Sequence, residues 1–142
     1  MDHMTLTDLL SKKYLKLRTH IETIWNEQHD FPISTTTWAI IAFVYQGKTT
    51  IAEVTRQANL ANVSRQAIHK IIKNLEARGL VFISDSKENK KVKRIELTTE
   101  GIDCYKRLNA IKVETEHKIK TTIGEEAFNT LINLLKINWE LN

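Results

Sequence analysis

Apolar residues recur at Leu6, Leu9, Leu10, Leu17, Ile21 and Ile24, with Tyr14 on the same stripe. That spacing predicts a long amphipathic first helix over about residues 5–29. The helix has to stop before Phe31-Pro32, because the residue preceding a proline is pushed out of helical geometry. Ser34 is a natural N-cap for a second helix through Trp38, Ile41 and Tyr45, closed near Gly47. Thr50 caps a short third helix, residue 51 to about 57. Ser64 caps a fourth, whose apolar stripe is Ile68, Ile71, Ile72 and Leu75 and whose stop is Gly79. Residues 80–84 and 92–97 are rich in Val, Ile, Leu and Phe and suit short strands, with a polar turn over 85–90. Thr98 caps a long fifth helix to about residue 121. A sixth begins after Gly124, with Phe128, Leu131, Ile132, Leu135 and Trp139 as its apolar side. The expected class is mainly α with one small β-hairpin, in the order of a winged helix-turn-helix.

Charge changes this picture from an architecture to a surface. Residues 62–94 hold nine lysines and arginines against three acids, a net +6 in a chain whose total is +4. The remainder is therefore −2, and the basicity is confined to the fourth helix and the hairpin. Local basicity of that kind is the electrostatic footprint of a phosphate-binding face. At about 100° per residue, the side of the fourth helix opposite its apolar stripe is centred on Gln66, Lys70 and Lys73, with His69 at its edge. No glutamate interrupts that side before Glu76. A helix in the major groove must use such side chains on base edges or phosphate. Gln66 can pair bidentately with adenine, while Arg65 and Lys70 reach guanine or phosphate. Ser64 and the first backbone N–H groups of the helix suit a phosphate. Lys87, Lys90 and Lys91 at the hairpin turn suit the DNA backbone or the adjacent minor groove.

Size and composition set the limits. A chain of 142 residues fits one domain. No apolar run approaches the roughly 20 residues of a membrane-spanning helix, and no secretory signal opens the chain. A single cysteine, Cys104, forms no disulfide within the chain, so a cytoplasmic location is expected.

The segments Val63-Ser-Arg-Gln-Ala-Ile-His-Lys70, Asn74-Leu-Glu-Ala-Arg-Gly-Leu80 and Leu97-Thr-Thr-Glu-Gly101 together resemble the MarR family, the multiple-antibiotic-resistance regulators. That family shows a serine-led recognition helix, a Leu-Glu..Gly-Leu exit from it, and Leu-Thr..Gly opening the next helix. The resemblance spans nearly the whole chain. It implies a homodimer with dimerisation helices over 1–31 and 99–142 and a DNA-binding lobe over 34–98. It further implies a repressor that binds a pseudo-palindromic double-stranded DNA operator and responds to a small-molecule effector. Two features depart from the family. Asn89-Lys-Lys91 stands where the wing commonly carries Asp-x-Arg, and Lys91 supplies charge there without bidentate geometry. The stretch over residues 56–62 also reads as longer than the usual tight turn.

Other candidate chemistry is thin. Cys104 lies beside Ile102 and Tyr105, which suits a packed, inert thiol better than an oxidant sensor. Glu114 with His117, His20 with Glu27, and His29 with Asp30 lack the dense ligand spacing of a metal site, and no cofactor is expected. Trp25, Phe31, Trp38 and Phe43 suit a core, a dimer contact or the lining of an effector pocket. No nucleophile elbow or Gly-rich phosphate loop marks an enzyme. The alternative function is a dimeric winged-helix adaptor that binds another protein, and such a surface has no need of the local +6.

Overall fold

The computed structural model describes residues 3–47, 50–59 and 63–141. Helices α1 (Leu6–Gln28), α2 (Thr35–Tyr45), α3 (Ile51–Asn59) and α4 (Arg65–Ala77) are followed by strands β1 (Val81–Asp85) and β2 (Lys93–Leu97), then α5 (Thr99–Ile123) and α6 (Glu125–Lys136). All six predicted helices and the hairpin are present, and most ends fall within two residues of expectation.

Local chemistry accounts for those ends. Thr5 and Asp8 form a reciprocal capping box at the start of α1. The hydroxyls of Ser34, Ser64 and Thr98 accept from the backbone N–H three residues on, and that of Thr50 accepts from Glu53 N–H at 3.2 Å. After α1 the chain folds back on itself, with the Trp25 indole N–H donating to Phe31 O at 3.0 Å. The predicted α6 stripe overruns the helix. Trp139 lies beyond Lys136, and its indole N–H donates to Leu134 O at 3.0 Å, so the side chain returns to the helix end that the backbone has left. Of the stretch over 56–62 read as a long turn, residues 56–59 instead continue α3, and residues 60–62 lie outside the described residues.

The core draws on every layer of the lobe: Trp25 from α1, Ile40 and Ile41 from α2, Val54 from α3, Ile68 and Leu75 from α4, Val81 and Ile95 from the hairpin, and Leu108 from α5. The strands pair antiparallel with Val81 opposite Leu97 and Asp85 opposite Lys93. An isolated bridge between Thr50 and Arg94 ties the start of α3 to β2.

The exit from α4 and the entry to α5 form a single knot. Gly79 closes α4 at φ +74°, a conformation that favours glycine. Thr98 Oγ1 donates to Gly79 O at 2.6 Å and accepts from Gly101 N–H at 3.0 Å, while Thr98 N–H donates to Leu80 O at 3.1 Å. Gly101 lies so close to Leu80 that a Cβ built on it would stand 2.0 Å from that carbonyl oxygen. The two motifs, Asn74 to Leu80 and Leu97 to Gly101, are thus halves of one contact that sets the hairpin against α4.

Candidate nucleic-acid interface

Helix α4 turns Ile68, Ile72 and Leu75 into the core and leaves Arg65, Gln66, His69, Lys70 and Lys73 exposed. Ser64 Oγ is occupied by the cap, accepting from Ala67 N–H at 3.2 Å, and its own hydroxyl hydrogen remains available to donate. Ile68 N–H is bonded to Ser64 O, whereas the N–H groups of Arg65 and Gln66 open the helix without intrahelical partners. The α4 N-terminus therefore pairs a partial positive charge with nearby cationic side chains.

The cations do not share one face. A groove of about 780 Å³ runs between α3, α4 and the hairpin, lined by Arg56, Arg65, His69, Lys73, Lys91 and Lys93 among others. Lys70 falls on the other flank of α4. There a smaller depression of about 520 Å³ brings it together with Arg18, Glu22, Ser34, Asn74 and Arg78. Gln66 is exposed on α4 and lines neither hollow. The expected outward face, centred on Gln66, Lys70 and Lys73, is thus a ridge with two basic flanks.

The hairpin turn is more ordered in its bonding than a lysine-only sequence implies. Asn89 Oδ1 accepts from Lys91 N–H at 3.0 Å, Asn89 O accepts from Val92 N–H at 3.0 Å, and Ser86 N–H donates to Val92 O. Asn89 thereby shapes the turn as an Asx residue. Lys93 pairs with Asp85 directly across the strands. Lys91 and Lys93 line the groove, while Lys87 and Lys90 are exposed on the turn and do not. Sequence reasoning missed Arg56 and Lys93. The +6 count contained Lys93, but only the folded hairpin brings it to the edge of the groove.

The remaining candidates lie away from α4 and the hairpin turn. Cys104 is buried, and burial first, with the Asp103 carboxylate second, pushes its thiol up to about 11, with Arg107 acting in the opposite direction. Trp25 and Trp38 lie in the core, with Phe31 and Phe43 packed against it. His29 stacks on Trp25 with ring centroids 3.5 Å apart. Among the described residues no three His, Cys, Asp or Glu side chains gather at metal-binding distance. None of the described helices is long and apolar enough to cross a membrane.

Residues 33–101 match the family described as winged helix DNA-binding domain. No curated protein sequence matches the chain. Among solved structures, the reduced form of MarR from E. coli is similar over 96% of this chain and 97% of its own, with a TM-score of 0.79 at 17% identity. MepR, a transcription regulator of the Staphylococcus aureus multidrug efflux pump MepA, gives 0.73 at 17% identity, covering 93% of this chain and 94% of its own. The transcriptional repressor CouR, bound to a 23-mer DNA duplex, gives 0.77 at 14% identity, covering 92% and 89%. Over residues 33–101 the chain is thus similar to winged helix DNA-binding domains, and as a whole it has the fold seen in the MarR structures.

Proposed function

We propose that this protein is a dimeric, effector-responsive transcriptional repressor that holds a pseudo-palindromic operator with α4 in the major groove. The observation that carries the reading is the ridge of α4, with Gln66 exposed between two cationic flanks and a capped N-terminus. Gln66 and Arg65 would read base edges. Ser64, His69, Lys70, Lys73, Lys91 and the turn lysines Lys87 and Lys90 would hold phosphate. Phosphate contacts would supply most of the affinity and make it fall steeply with salt.

Assembly is supported by the apolar surface outside the lobe. Leu6, Leu9, Leu10, Tyr14 and Leu17 of α1, and Leu131, Leu134, Leu135, Ile137 and Trp139 at the C-terminal end, are all exposed in the single chain. Exposed apolar surface on this scale marks an association face. A dimer joined there would hold 1–31 and 99–142 together and leave 34–98 free to engage DNA. An effector response is supported by Trp38, whose buried Nε1–H has no acceptor among the described residues. The Lys112 ammonium sits 4.5 Å from that ring and is lowered in pKa by burial. An unpaired buried donor beside a cation held over the same ring suits a polar, electron-rich ligand group.

The test is the mobility of a labelled random duplex pool at low salt, for the wild type and for Lys70→Ala/Lys73→Ala. Retardation by the wild type that weakens in the double variant supports the reading. A wild type that retards nothing at any concentration favours the protein adaptor.

A further inference from the structure

We propose that Arg18, on the first helix, is a DNA-backbone contact: with Lys70 and Arg78 it forms a phosphate site on the flank of α4 away from the hairpin. The inference rests on the DNA-binding reading above and assigns a surface that the winged lobe alone does not contain.

Geometry requires such a surface. An α-helix with its side chains is about 10–12 Å across, and the major groove is about 12 Å wide. A helix seated there has a phosphodiester strand along each flank. The hairpin-side groove, with Arg56, Lys73, Lys91 and Lys93, can serve one strand. The other strand would meet the depression formed by α1, the start of α2 and α4. Its charged lining is Arg18, Lys70 and Arg78 against Glu22 alone.

Two of the three cations, Arg18 and Arg78, are held in place. Glu22 Oε1 accepts from Thr35 Oγ1 at 3.0 Å and lies 3.4 Å from Arg18 Nε, so one carboxylate ties Arg18 to the beginning of α2. The Arg78 guanidinium stands 4.7 Å from the centre of the Phe31 ring, and its Nε donates to Asn74 Oδ1 at 2.8 Å. A partly exposed i,i+4 pair such as Arg18 with Glu22 adds little to stability, so that pair alone does not account for three cations gathered here. A phosphate oxygen would neutralise them and accept from the guanidinium donors that Glu22 leaves unused. Arg18 also belongs to the helix that leaves the lobe for the expected dimer face. The contact would therefore anchor that helix, and not only the lobe, to the DNA backbone.

The experiment compares Arg18→Ala, Arg18→Lys and Lys12→Ala by fluorescence anisotropy on a random-sequence duplex across a salt series. Lys12 is an exposed cation of the same helix outside the depression. Thermal melting and sedimentation would show that fold and assembly are retained. Losing one phosphate contact lowers the slope of log affinity against log salt by about 0.9, hence by about two in a symmetric dimer. That drop is expected for Arg18→Ala, with a slope near the wild type for Arg18→Lys and Lys12→Ala. An Arg18→Ala slope equal to that of a DNA-binding wild type overturns the inference and leaves the DNA-binding reading standing. An equal drop in Lys12→Ala also overturns it, since net charge would then suffice. A wild type without affinity for DNA overturns both.

Discussion

Replacing Gly101 with alanine adds one methyl group where the chain has no room for it. The new Cβ would stand 2.0 Å from Leu80 O, 3.1 Å from Leu80 C and 3.2 Å from Leu97 Cδ2. Close carbon–oxygen contacts in proteins lie at about 3.3–3.6 Å, so α5 or the Leu80 peptide must move by over an ångström. The nearest partner, the Leu80 carbonyl, is backbone and not the free end of a side chain. The Leu80 carbonyl already accepts from Thr98 N–H, and displacement strains that bond as well. Forcing a methyl group into a packed site costs about 1–3 kcal/mol, and a lost hydrogen bond about 1 kcal/mol. Helix propensity returns at most about 1 kcal/mol for glycine to alanine, so the net loss is about 2 kcal/mol. For a chain of this size that lowers Tm by about 4–8 °C, read by circular dichroism on heating. The same shift displaces β2 relative to α4, so DNA affinity should fall although no interface residue has changed. A Tm equal to or above the wild type would refute the close approach on which the knot depends.

Ser64→Ala removes the α4 cap and should cost about 1 kcal/mol of stability, measured by urea unfolding, because Ala67 N–H loses its acceptor. Cys104, with its thiol raised from 9.0 to about 11, should be about 100-fold poorer in thiolate at pH 8 than an unfolded chain. Iodoacetamide labelling of the native protein should therefore be slow at pH 8, keep rising past pH 9 toward pH 11, and become rapid on denaturation. Fast native labelling at neutral pH would contradict a packed thiol. The raised value also means that the folded state holds its proton more tightly. Stability from this site is thus fully present below pH 9 and falls as pH rises toward 11.

What the sequence revealed follows from the range of the forces involved. Caps and stops are local: Ser34, Ser64, Thr98 and Gly79 act within four residues, so the element ends were legible from them. Period alone misled at Trp139, which continues the spacing of Leu131 and Leu135 although the backbone leaves the helix after Lys136. The surroundings of α4 were illegible for a different reason. Angular position on a helix says which residues face outward, but not what stands beside them. Lys70 and Lys73 are three residues apart and read as one face, yet α1 returns beside one and the hairpin beside the other. Arg18 belongs to a helix whose apolar stripe gives no sign that its polar side approaches α4. The family motifs, by contrast, carried more than expected, since Thr98 and Gly101 turn two short patterns into one contact.

The central claim, that α4 reads DNA sequence from a symmetric pair of lobes, is tested most directly by selecting bound duplexes from a random library. The account predicts enrichment of inverted half-sites centred one helical turn, about 34–36 Å, apart. Recovery of sequences no different from the input pool would contradict it.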